Sequence, residues 1–170
     1  MKHRPLAMLL FAGLLAAGTA HANQAEHIQA SKAWIRVLPG ALPAGGYVTL
    51  HNDSDQPAAL SSASSAVYGD VMLHKTSTEM AGMSQMTMVD RLDVPAHGEV
   101  SLAPAGYHLM LSEPSHPVKA GDTVKLTLKF ADGSTRDVDF LARPANTVGA
   151  DEGYFGHTMG HATPVPASSH

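Results

Sequence analysis

The stretch that decides the fold is Gly121-Asp122-Thr123-Val124-Lys125-Leu126-Thr127-Leu128-Lys129-Phe130, followed by Asp132-Gly133 and then Val138, Phe140 and Ala142. Val124, Leu126, Leu128 and Phe130 alternate with Thr123, Lys125, Thr127 and Lys129. That is the period-two pattern of a half-buried strand, whose side chains point alternately to opposite faces. Asp-Gly between two alternating runs is a hairpin signal, because the tightest hairpin turns need positive φ at their central residues. The pair is therefore two antiparallel strands with one face turned to a core.

Working back along the chain, the same grammar recurs. Residues 33–37 place Ala33, Ile35 and Val37 on one face and Trp34 and Arg36 on the other. Residues 46–51 read as a strand closed by Asn52-Asp53-Ser54, and 58–66, small and Ser-rich, as a strand or a loop. Residues 70–76 put Val71 and Leu73 on one face and Met72 and His74 on the other. A hinge-like segment, 79–84, leads into 85–92, then a short strand at 99–102 and a His-Leu-Met-Leu run at 108–111. Gly, Pro, Asn and Asp separate these runs, and none has sustained helical periodicity. Many short strands at this spacing predict an all-β, antiparallel sandwich or barrel.

The chain ends read differently. Lys2, His3 and Arg4, an apolar run from Leu6 to Ala17, and Ala20-His21-Ala22 form a secretory signal with its cleavage site, so residues 1–22 are expected to be removed. The apolar run is too short for a membrane span, no later run is long enough to be a membrane anchor, and a lipobox needs a cysteine, of which there is none. The expected compartment is the periplasm. Residues 23–143 then form the β domain. Residues 144–170, rich in Gly and Pro and poor in aliphatics, are expected to be a flexible tail.

Composition excludes several function classes. Removing Lys2 and Arg4 leaves nine basic against fifteen acidic residues, a mature charge near −6 with no basic patch. Nucleic acid is not an expected partner, and the chain is expected to act as a monomer. Zero cysteines exclude a disulfide framework, a thiolate nucleophile and a type 1 blue-copper centre. Ser61, Ser62, Ser64 and Ser65 lack the context of a nucleophile, and no pair of carboxylates suggests acid–base catalysis. An enzyme is not expected.

What remains is a set of soft ligands. His108 and Met110 are two apart and share a strand face, leaving Leu109 and Leu111 for the core. Met72 shares a face with His74, and Met86 shares one with Met88. Taken singly, each has an ordinary explanation, since methionine fills cores and strand histidines are usually solvated. Yet five of the seven methionines in the mature chain fall between Met72 and Met88, where a β core would favour branched aliphatics. Thioether and imidazole suit Cu(I), whereas zinc prefers thiolate, imidazole or carboxylate.

The arrangement resembles the PCuAC family of periplasmic copper chaperones. Twenty-one residues intervene between Met86 and His108, as in the family, and His108-Leu109-Met110 is its H-x-M element. Eleven residues intervene between His74 and Met86, one more than the family pattern has, so Met83 and Met88 compete for that role. A-W-I-R at 33–36, G-Y-V-T-L-H-N at 46–52 and the 121–130 strand are also family-like. The resemblance implies a cupredoxin-like barrel with a solvent-reachable His74, Met86, His108, Met110 site for Cu(I). It implies delivery to the copper centres of cytochrome c oxidase, alone or beside a Sco-type thioredoxin-like partner.

The tail carries His157, Met159 and His161 in G-H-T-M-G-H. Imidazoles suit the harder oxidised ion, so a second site, for Cu(II), is expected there. Two other readings are open: copper sequestration for tolerance through the same core site, and a copper-dependent redox enzyme using the tail histidines.

Overall fold

The computed structural model describes residues 23–40, 42–78 and 84–151. Residues 1–22, expected to be a leader, and residues 152–170 of the expected tail lie outside the described residues. A single helical turn, α1 (Gln24–His27), precedes β1 (Ile28–Arg36), β2 (Ala44–Asn52), β3 (Ala58–Ser65), β4 (Tyr68–Thr78) and β5 (Ser84–Met88). β6 (Leu92–Val94), β7 (Glu99–Leu102), β8 (Tyr107–Pro114), β9 (Thr123–Phe130) and β10 (Thr135–Arg143) follow.

Among the described residues the strands form one hydrogen-bonded sheet in the order β5-β4-β8-β2-β1-β10-β9-β3-β6, with β7 paired to β2. The β9–β10 hairpin forms as expected, with Phe140 opposite Val124 and Val138 opposite Leu126. One edge of β2 pairs with β1; the other pairs with β8 through Ala44 to Gly46 and with β7 through Val48 to His51. The sheet forks at that edge, and its arms curl over one core. Leu109 and Leu111 from β8, Leu126, Leu128 and Phe130 from β9, and Phe140 from β10 belong to a single buried cluster. Each such side chain contributes about 1.5–3 kcal/mol by leaving water.

Two features depart from the expected pattern. The sheet is mixed rather than purely antiparallel, because β1 and β10 run parallel, with Trp34 opposite Leu141 and Arg36 opposite Arg143. Strands so far apart in sequence meet through the order of the whole sheet, which no local signal encodes. In addition, β1 carries a bulge: its register against β2 shifts between Ser31 and Trp34, and Lys32 has φ +52°. The bulge re-aims the following residues, so that Ile35 enters the core while Trp34 is buried on the opposite face. The Ser-rich segment is a strand. Ala58, Ala59 and Leu60 are buried, and Leu60 pairs with Phe130.

Two glycines let β2 pass close to β8. A Cβ on Gly46 would lie 3.0 Å from Leu111 Cδ1 and 3.2 Å from Leu109 Cβ. A Cβ on Gly45 would lie 2.6 Å from the Tyr47 hydroxyl oxygen.

Candidate metal centre

β4 and β8 are antiparallel neighbours, and their register sets His74 opposite His108 and Met72 opposite Met110. Leu73 pairs with Leu109 between these rungs and points the other way, into the core. Strand alternation therefore turns a His-x-Met run and a Met-x-His run into one polar–thioether patch on the face away from the core. On its other side β4 pairs with β5, where His74 faces Met88 and Thr76 faces Met86. Met72, His74, Met86, Met88, His108 and Met110 thus share one sheet face.

The patch has depth. His74 and His108 are only 8% and 7% exposed, whereas Met86 and Met88 are 53% and 68% exposed. Met72 and Met110 are half-buried. The two imidazoles lie recessed beneath a methionine rim that solvent reaches. Their centroids are 5.9 Å apart with the planes nearly perpendicular. An imidazole centroid sits about 3 Å from a metal bound at about 2 Å from its nitrogen, so two rings on one ion stand up to about 6 Å apart. The spacing fits a shared ion.

Hydrogen bonding leaves lone pairs free. His108 Nδ1 is 3.1 Å from Gly106 O, and a carbonyl only accepts, so Nδ1 carries a proton and the lone pair of the neutral ring lies on Nε2. Gly106 O also accepts the Thr76 amide at 3.0 Å. His74 Nδ1 is buried with no hydrogen-bond partner among the described residues. Burial pushes the His74 pKa down and His108 pushes it further, with Asp70 opposing them. His74 is therefore neutral at pH 7, as a ligand must be. Among the described residues no group of three or more His, Asp or Glu could hold a metal. A hard ion lacks a full donor set here, and a soft ion completes its set only with thioethers.

An aromatic wall, which sequence reasoning did not connect with the site, stands behind His108. Trp34 and Tyr47 stack at 4.5 Å, and Tyr47 lies 6.5 Å from His108. The Arg36 guanidinium sits over both rings, at 5.5 and 5.4 Å. Burial raises the Tyr47 pKa, with Arg36 opposing. The signal for this wall was present in A-W-I-R and G-Y-V-T-L-H-N, but the two motifs meet only across β1 and β2.

His157, Met159 and His161 lie outside the described residues. The expected tail, however, does not leave the domain at Arg143. Thr147 is buried, its carbonyl accepts the Arg36 Nε–H at 3.0 Å, and Asp151 pairs with Lys32 at 3.3 Å. Residues 144–151 are held against β1 through Arg36 and Lys32.

Residues 28–142 match a family model described as "Putative lipoprotein LpqE-like". A similarly described lipoprotein of Leifsonia xyli subsp. xyli is 31% identical over 134 residues, 79% of each chain. The solution structure of the Cu(I) form of DR1885 from Deinococcus radiodurans is 36% identical, covering 75% of this chain and 85% of that one, with a TM-score of 0.56. The copper-bound PCuAC domain of PmoF2 is 25% identical, covering 69% of this chain and 93% of that one, with a TM-score of 0.58. None of these relatives is named as an enzyme. The lipoprotein description has no counterpart in the 170 residues here, which contain no cysteine to carry a lipid thioether. The cupredoxin-like fold expected from the resemblance is shared with these domains, and the chain belongs to the LpqE-like family, with a PCuAC-type domain.

Proposed function

We propose that the chain is an exported, periplasmic copper chaperone that binds Cu(I) through His74, His108 and Met110, with Met86 as the fourth ligand, and delivers it to cytochrome c oxidase. The observation that carries this reading is the recessed, facing pair of imidazoles beneath exposed thioethers. Kinship with domains solved with copper supports it.

The geometry suits transfer by ligand exchange. The imidazoles are held by interior strands and one by the Gly106 carbonyl, so they form the fixed part of the site. The exposed thioethers bind weakly and give way first to an incoming ligand of an acceptor. Met88, directly opposite His74, can take the place of Met86 as that exchange proceeds. A copper subunit of the oxidase is the proposed acceptor, with a Sco-type thioredoxin-like protein as a second partner. The proposal includes removal of residues 1–22 on export and a Cu(II) site formed by His157, Met159 and His161.

Anaerobic Cu(I) titration against a chromophoric chelator tests the core site. His108→Ala and Met110→Ala should each weaken binding about tenfold or more; unchanged affinity in both would refute the assignment. Cu(II) titration of a chain with His157 and His161 replaced by Ala tests the tail. Undiminished Cu(II) binding there would remove the second site.

A further inference from the structure

The wall behind His108 has a chemical consequence for the oxidation state of the bound ion. Arg36 on β1 lies opposite Gly45 on β2, which lies opposite Met110 on β8. Arg36 and Met110 thus share a sheet face two strand spacings apart, about 10 Å. Through the rings, steps of 5.4 Å from Arg36 to Tyr47 and 6.5 Å from Tyr47 to His108 bound the separation at about 12 Å. Between them stand Trp34 and Tyr47, 3% and 6% exposed, in place of screening water. No carboxylate lies within ion-pairing distance of Arg36 among the described residues; its Nε–H is fixed on the Thr147 carbonyl. A guanidinium cannot lose its proton, so the site feels a permanent positive charge across a dry aromatic wall.

Resting on the proposed Cu(I) site, we infer that Arg36, held by Trp34 and Tyr47, is a positioning and selectivity residue that biases the site towards the lower oxidation state of copper. A fixed cation repels a divalent ion by one unit of charge more than a monovalent one. At about 10 Å and an effective dielectric of about 20–40, that difference favours Cu(I) over Cu(II) about four- to sixteenfold. Asp70, whose charge His74 also feels, acts in the opposite sense from β4.

The test uses the full mature chain with His157, Met159 and His161 replaced by Ala, so that only the core site is read. Cu(I) and Cu(II) affinities are measured separately by chelator competition, and their ratio is compared across variants. Arg36→Met and Arg36→Gln should lower the ratio about four- to sixteenfold, Arg36→Lys should keep it within about twofold, and Asp70→Asn should raise it. Arg36→Gln keeps a donor for Thr147 O and so serves if Arg36→Met does not fold. A ratio unchanged in the folded neutral variants, while His108→Ala still weakens Cu(I) binding, overturns the inference and leaves the site intact. Cu(I) binding indifferent to His108→Ala would instead overturn the site, and this inference with it.

Discussion

Gly45→Ala asks whether the aromatic wall is as tight as it looks. Gly45 has no positive φ, so alanine can adopt its backbone, and reduced freedom of the unfolded chain alone would stabilise by about 0.4–1 kcal/mol. Sterics oppose this. The new Cβ would lie 2.6 Å from the Tyr47 hydroxyl oxygen, 3.0 Å from Cζ and 3.3 Å from Cε2. The ring cannot simply swing away, since Trp34 stacks on it at 4.5 Å and Arg36 covers it. Overpacking of this kind costs about 1–3 kcal/mol, so a net loss of about 1–2 kcal/mol is expected. Tyr47→Phe removes the closest atom and leaves the next at 3.0 Å. The double variant should therefore be less destabilised than the sum of the singles by about 1 kcal/mol. Urea unfolding of the metal-free wild type, both singles and the double gives the full cycle. Costs that add within about 0.5 kcal/mol, or a stabilising Gly45→Ala, would refute the packing argument.

Leu109 is fully buried between the two H-x-M ligands; Leu109→Ala should cost about 3–5 kcal/mol in urea unfolding. Met86→Ala and Met88→Ala, on exposed side chains, should each leave stability within about 0.5 kcal/mol while weakening Cu(I) binding, and more so together. His74 should titrate by NMR below the ordinary imidazole range, because burial and His108 disfavour its cation. The unfolded chain then binds that proton more readily than the folded one. The His74 contribution to stability is thus complete above the unfolded pKa and lost as pH falls through the lower folded value; in His74→Gln this part of the acid sensitivity should vanish. Burial raises the Asp132 pKa, but hydrogen bonds from the Gln24 and Ser134 amides and the Ser134 hydroxyl more than offset it. Asp132→Asn should accordingly destabilise at neutral pH, with the difference from wild type closing as acid protonates Asp132.

Period two carried much of this structure in plain sight. It assigned Leu109 and Leu111 to the core, His108 and Met110 to the opposite face, and the 123–130 run to a hairpin, because alternation depends only on neighbours in sequence. Pairing across strands is not encoded that way. That Met88 rather than Met86 faces His74 depends on how the chain turns between β4 and β5. That Trp34 stacks on Tyr47 depends on the register of β1 against β2 beyond a bulge. The parallel contact of β1 with β10 depends on the order of the whole sheet, and Thr147 reads as tail because the partner of its carbonyl, Arg36, lies more than a hundred residues earlier.

β5 is an edge strand of five exposed residues, hydrogen-bonded among the described residues only to β4. His108, by contrast, sits on β8, flanked by β4 and β2. Edge segments with few buried contacts open at free energies far below global unfolding, so β5 amides should exchange with deuterium before those of β4 and β8. Fraying of that one strand would carry away two sulfurs at once and leave both imidazoles where they are. A cargo held this way comes loose from one side first, and the sheet itself gives the handover its direction.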